Sequence, residues 1–324
     1  MSYDIPKGSL RLYGCGGFGV NRCGFFMGSS DEPQCAQVMP AFIDTSRSNF
    51  HGNYSESDVF ILENTDGSGK VRRENHEEIA NVVKKILLQV EPGDFNAVVF
   101  SASGGSGSVI GPLLMAELME RGLPVVGICV GSDESVISAQ NTMNTLKSLD
   151  SVAKRCKYPA VVFYEHNDKE RKRSEVDAMI HLAISTLSVL TSRQNREMDT
   201  QDIKNWVQFN RTTTVAPQLA QMEVFIDPSE VQRVKDPISV ASIYESEDIK
   251  PIDMIPEYHA AGYLQEKSEK FDQLHYVISV EAIPSIYGKI KETLDKYNNQ
   301  IVSRVKQTSV LDDQDNTTDT GLVL

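Results

Sequence analysis

Glycine recurs in this chain at two places where main chain could hold an anion. Gly14-Cys15-Gly16-Gly17-Phe18-Gly19 follows the apolar run Leu10-Arg11-Leu12-Tyr13, and Ser103-Gly104-Gly105-Ser106-Gly107-Ser108 shortly follows Ala97-Val98-Val99-Phe100. A residue without a Cβ lets a ligand approach the backbone and permits positive φ. Successive N–H groups in such a turn, aimed by a helix start, make a cradle for phosphate. Two cradles in what reads as one α/β domain imply a nucleotide gripped from two sides.

Gly14, Gly16 and Gly19 alone satisfy the dinucleotide pattern G-x-G-x-x-G, and Asp44 ends the following strand as a ribose acid would, so a nicotinamide dehydrogenase is weighed. That reading leaves the second turn without a purpose. The second turn misses the G-x-S-x-G nucleophile elbow because Ser108 stands at its last position. Gly67-Ser68-Gly69-Lys70 misses the Walker loop, with Asn64 at the first glycine position and Val71 at the Ser/Thr position.

The elements that must position these turns read as alternating strands and helices from 10 to 165. Strands are expected at 10–14, 37–44, 58–63, 97–101, 124–130 and 159–165, with helices at Glu74–Val90, Ile110–Arg121 and Ser135–Arg155. The last three strands are near-continuous apolar runs, which suit a parallel sheet covered on both faces. Such a doubly wound sheet binds ligands at the carboxyl ends of its strands. Val176, Met179, Ile180, Ala183, Ile184, Leu187 and Leu190 then keep helical spacing, and the polar run 193–202 breaks it. Residues 213–283 read as a second α/β unit with strands at 222–226 and 275–280, and 285–306 as a charged helix. The expected division is a nucleotide-binding domain at 1–172, a central helix at 173–197, a C-terminal domain at 198–284, and a helix with an acidic tail at 285–324.

The chain has 324 residues, 40% hydrophobic and 24% charged, with net charge −13. That acidity argues against direct nucleic-acid binding and against an anionic membrane surface. Five cysteines without a C-x-x-C pair indicate neither a disulfide framework nor a zinc site and fit a reducing cytoplasm. No apolar run reaches 18 residues, and the start carries no secretory pattern. The histidines show no ligand spacing.

Several of these motifs, in order from about residue 10 to 207, resemble the tubulin/FtsZ superfamily. Ser103–Val109 resembles its GGGTGTG phosphate loop, and the first turn with Val20-Asn21-Arg22 resembles its opening GxGGxG…N turn. Asp66-Gly67-Ser68-Gly69 falls where the family senses the terminal phosphate. Asn167-Asp168-Lys169 resembles its NDKL, and Glu197-Met198-Asp199-Thr200-Gln201-Asp202-Ile203 resembles its NVDFADV. The departures are Ser103 and Val109 for outer glycines, Phe18 in the first turn, and Glu197-Met198 for Asn-Val.

The resemblance implies a GTPase with a tubulin/FtsZ-like fold that binds GTP or GDP with Mg²⁺. Gly16, Gly17, Asn21, Gly67, Gly69, Gly104, Gly105, Ser106, Gly107 and Ser108 would serve the nucleotide, Glu134 its ribose, and Asn167 and Asp177 its guanine. Asp44 would lie near the metal or merely cap a turn. Taken alone, Asp199 and Asp202 are solvated acids beside a helix start. The family gives them a catalytic role in the site of the next subunit, within head-to-tail filaments. The short length and the acidic, apolar-tipped tail resemble phage-encoded tubulins of the PhuZ type, which implies a spindle-like array positioning phage DNA in the cytoplasm of an infected bacterium. A plasmid-segregation or division homologue is the alternative, with a nicotinamide dehydrogenase or a non-hydrolysing nucleotide-binding scaffold as further ones. The tail is expected to dock on a neighbouring subunit.

Overall fold

The computed structural model describes residues 6–28, 32–52, 54–63, 65–268 and 270–305. The acidic tail and Asn64 lie outside the described residues.

One twisted sheet of eleven strands runs through the described chain. Its first part is parallel, in the spatial order β3 (Val59–Ile61), β2 (Gln37–Asp44), β1 (Ser9–Cys15), β4 (Phe95–Ser101), β5 (Val125–Ser132) and β6 (Ala160–Asn167). Register is tight at the carboxyl end, where Cys15 stands opposite Ile43 on one side and Phe100 on the other. All six lie where the apolar runs predict them. The helices between them are α1 (Gly16–Gly24), α2 (His76–Gln89), α3 (Gly107–Glu120) and α4 (Val136–Cys156). α1 is unannounced by the sequence, since glycine is a poor helix former. It forms because Gly14 and Gly19 let it lie against the sheet: a Cβ on Gly19 would stand 2.2 Å from Val99 O.

The sheet continues through parallel pairing of β6 with β8 (Leu219–Phe225), then β11 (Gln273–Ser279), β9 (Ser239–Tyr244), β10 (Tyr258–Leu264) and the two-residue β7 (Asn195–Arg196). The sequence reading finds β8 and β11 but misses β9 and β10, and Ala260-Ala261-Gly262 has little strand propensity. Between the two halves runs α5 (Arg173–Leu190), whose Val176, Ile180, Ala183, Ile184, Leu187 and Leu190 are all buried, as their spacing predicts. It ends at Leu190 rather than at 197, and residues 191–199 form β7 and a turn before α6 (Thr200–Val207).

Two apolar clusters cover the faces. α1 and α5 pack on one with Leu10, Leu12 and Val99, and Trp206 of α6 joins them. α2, α3, α4 and the C-terminal helix α8 (Ile283–Val305) pack on the other, through residues such as Ile79, Leu114, Leu149, Ile290 and Leu294. A short α7 (Pro228–Val231) helps cover the outer side of β8 and β11.

Candidate functional site

Both glycine turns open into one cavity of about 350 Å³ at the carboxyl ends of β1, β2 and β4. Gly16, Gly17, Gly104, Gly105, Ser106 and Gly107 line it, with Asp44, Ser46, Asn49, Asp66, Gly67 and Ser68. α1 and α3 both begin here, and neither has a side-chain cap. By contrast Ser135 caps α4 and Asp199 caps α6. The first N–H groups of α1 and α3 are therefore left for an anion, with the positive dipole ends behind them. Gly16, Gly105 and Gly107 are required by contact. Gly16 has φ +69, and a Cβ on it would meet Gly107 N at 2.8 Å. A Cβ on Gly105 would stand 1.8 Å from Ser68 Oγ.

The remaining walls are polar. The Ser106 and Thr45 hydroxyls lie 2.5 Å apart, and Ser106 Oγ also donates to Ser68 Oγ at 3.2 Å. Asp44 is 2% exposed and accepts from Asn49 Nδ2 and from Thr45 N, both at 2.7 Å. Burial raises its carboxyl above the usual range, and those hydrogen bonds partly offset the rise. No lysine or arginine is among the described lining residues, whereas Asp44 and Asp66 are. A polyphosphate here meets N–H dipoles and two carboxylates, a donor set that accommodates a divalent cation between acid and phosphate. Thr45 and Asn49 contribute without having been singled out from the sequence; the polar run Thr45–Asn49 just after a strand is the signal that could have found them.

The other expected residues sit around this core. Asn21 donates Nδ2 to Gly17 O at 2.8 Å, bracing α1. Ser108 is fully buried and donates to Gly104 O and Gly105 O, so it holds the phosphate loop from behind. Gly67 lines the cavity, and Gly69, at φ +54, lies two residues further along that loop. Asp177 on α5 pairs with Arg22 on α1 at 3.0 Å, and Glu134 pairs with Arg173 at 2.8 Å. Asn167 ends β6 with its Oδ1 buried and without a hydrogen-bond partner. A buried acceptor left empty costs about 1–3 kcal/mol, a debt that a ligand donor removes.

Asp199 and Asp202 stand at the opposite end of the molecule. α5 starts beside Arg22 near the cavity, and after it Gly8 N, just ahead of β1, donates to Ser192 O at 2.8 Å. Arg193 bonds Asp94, next to the start of β4, at 2.9 Å. The seven residues of β1 and the eighteen of α5 both span the gap, which is about 23–27 Å by strand and helix rise. At that end Asp199 accepts from Gln201 N and Asp202 N, and Asp202 accepts from Asp199 N at 3.0 Å. This is a reciprocal capping box. Tyr258 OH donates to Asp202 Oδ1 at 3.0 Å, and burial with that bond pushes its phenol up to about 12. The approach to Asp199 holds two non-glycine residues at positive φ, Arg193 at 62 and Glu197 at 76. Such strain persists where surrounding structure fixes it.

A parallel nucleotide-type sheet, a long helix behind it, a second mixed sheet and phosphate cradles at two helix starts together define a tubulin/FtsZ-like fold. The family model for the C-terminal domain of phage tubulin-like proteins matches residues 198–283. The phage tubulin-like protein of Pseudomonas phage phiKZ is 32% identical over 331 residues, covering 98% of this chain and 99% of that protein. Among solved structures, a protofilament of TubZ from bacteriophage PhiKZ superposes with TM-score 0.87 at 32% identity, over 97% of this chain and 99% of that one. The phage tubulin PhuZ with GDP shares the fold, with TM-score 0.86 at 24% identity over 97% and 99% of the two chains. This chain belongs to the phage tubulin-like proteins. The dehydrogenase alternative is thereby set aside. No helix among the described residues is long and apolar enough to cross a membrane.

Proposed function

We propose that this protein is a GTPase that assembles head to tail into filaments, each subunit completing the nucleotide site of its neighbour. The observation that carries this reading is the separation of the phosphate cavity from Asp199 and Asp202. No single subunit brings those acids to its own nucleotide, whereas a repeat along the α5 direction brings them to the next one. Contacts of this head-to-tail kind do not close on themselves and give filaments. The phiKZ relative forms a protofilament, and the PhuZ neighbour holds GDP.

In this mechanism the N–H groups of Gly16, Gly17, Gly104, Gly105 and Gly107 hold the phosphates, with the Ser106 hydroxyl. Asn167 and Asp177 read guanine, and Glu134 lies on the ribose side. Asp44 and Asp66 are the residues that would hold Mg²⁺, which supplies charge neutralisation of the phosphate oxygens. Asp199 and Asp202 of the adjoining subunit orient the attacking water, so geometry appropriate for attack exists only in the polymer. The role that fits this family is a spindle-like array positioning phage DNA in the host cytoplasm.

Phosphate release from GTP measured against protein concentration, with light scattering from the same cuvette, tests this reading. A threshold common to both signals is expected. Turnover strictly proportional to protein without scattering would remove the shared site.

A further inference from the structure

The loop over residues 65–73, which faces the phosphate cradle across the cavity, is fastened at its outer end to α4 by two side chains that play no part in the mechanism above. Asn141 is 5% exposed. Its amide donates to Lys70 O at 2.8 Å, Gly104 O at 3.1 Å and Ser103 O at 3.2 Å. With two N–H groups for three acceptors, one serves Lys70 and the other is shared by the adjacent carbonyls of the phosphate loop. In a trans peptide the carbonyl and the following N–H point opposite ways. Drawing Ser103 O and Gly104 O toward α4 therefore turns the N–H groups of Gly104 and Gly105 away from it, toward the cavity these glycines line. The Asn141 amide thus aims two anion donors, sharing Gly104 O with Ser108 Oγ, and ties the facing loop to them.

Arg72 supplies the second tie. Its guanidinium donates to Asn141 O and Ser148 Oγ, both at 3.3 Å, and to Thr145 Oγ1. Thr145 Oγ1 in turn donates to Ala102 O at 2.9 Å, at the base of the phosphate loop. Every partner is neutral, and among the described residues no carboxylate forms an ion pair with Arg72. Burial lowers its proton affinity, the response of a cation without a counter-charge. A partly buried, uncompensated cation beside an anion cradle that lacks lysine and arginine favours each added phosphate charge.

We propose that Asn141 and Arg72 are positioning residues that clamp the 65–73 loop onto the phosphate loop and so make the site prefer a nucleoside triphosphate over the diphosphate. The inference rests on the guanine-nucleotide reading above. Neither residue touches the nucleotide; they act through the loops.

The test measures affinities of the full chain for GDP and for a hydrolysis-resistant GTP analogue, by calorimetry below the assembly threshold, in wild type, Asn141→Ala, Arg72→Met and Arg72→Lys. In Asn141→Ala and Arg72→Met the triphosphate affinity should fall about tenfold and the diphosphate affinity less than threefold. Arg72→Lys, which keeps the charge and loses the fork, should recover part of the triphosphate loss. Equal losses for both nucleotides would mean a merely structural role, and a triphosphate-to-diphosphate ratio within twofold of wild type would also overturn the clamp. Should Asn141→Ala not fold, the two Arg72 variants carry the same comparison. A wild-type chain that binds neither nucleotide overturns the functional reading together with the clamp, whereas normal wild-type binding with an unchanged ratio in the variants overturns the clamp alone.

Discussion

Gly107→Ala and Gly104→Ala place the same methyl group on one loop, three residues apart, with opposite expected results. A Cβ on Gly107 would stand 2.7 Å from Cys15 O and 3.4 Å from Cys15 C. Cys15 cannot retreat, because it ends β1 in register with Ile43 and Phe100 on either side. Forcing a methyl into a close-packed place of this kind costs about 1–3 kcal/mol. Alanine returns about 0.5–1 kcal/mol over glycine in a helix, so the net loss is centred near about 1.3 kcal/mol and is at most about 2.5 kcal/mol. At an unfolding entropy of about 2.1 cal/mol/K per residue, a chain of 324 residues shifts by about 1.5 °C per kcal/mol, so the melting temperature should fall by about 2 °C and by at most about 4 °C. Gly104 is different: its Cβ would meet nothing nearer than Ser101 Cβ at 3.6 Å. That variant should melt within about 1 °C of wild type. Because the Gly107 N–H opens α3 into the cavity, Gly107→Ala should also weaken GTP binding at least tenfold, a change of about 1.4 kcal/mol. Calorimetric melting of nucleotide-free protein, followed by GTP titration, reads both quantities. Equal melting temperatures for the two variants would refute the packing argument.

Asp202→Asn keeps the shape of the capping box while removing charge, so GTP binding and assembly should persist, turnover should fall by at least ~10², and filaments should outlast wild type in a scattering decay; normal phosphate release would exclude Asp202. Asn167→Ala removes the empty buried acceptor, so nucleotide-free protein should gain up to about 1 kcal/mol while losing GTP affinity; a drop in both would make Asn167 a scaffold residue. Burial, with His259 nearby, holds the His275 imidazole down to about 4 from 6.5, so the unfolded chain takes the proton first. Stability from neutral His275 is complete above pH 6.5 and drains as pH falls toward 4, by roughly 2 kcal/mol at pH 5. His275→Gln should flatten this limb in urea unfolding, and an unchanged slope between pH 7 and 5 would clear His275.

The parallel half of the sheet was legible because its strands are buried on both faces and written as apolar runs, as in Ala97–Phe100. The two glycine turns were legible as one cavity's lining because Gly16, Gly105 and Gly107 leave no room for a Cβ. α1 was hidden by those same glycines, which it needs for contact with Val99 rather than for helicity. β9 and β10 were hidden because their residues are chosen by cross-strand fit, β9 to β11 and β10 to β9. Asn141 could not have been found at all: its partners lie 37 to 71 residues away, and nothing local marks it. Taken alone, Asp199 and Asp202 read as solvated acids beside a helix start, and the structure makes them the capping box of that helix. Only the distance between those acids and the cavity adds a second meaning.

That distance has an arithmetic consequence. If each joint between subunits makes one working site, a filament of n subunits has n − 1 of them, and one terminal nucleotide always waits. Short filaments then carry proportionally more unspent nucleotide than long ones. The two ends differ chemically before any accessory factor binds: one shows an open cradle, the other a pair of idle acids. On the proposed mechanism, a polymer built from this fold has a direction from the outset and a clock that starts only on joining.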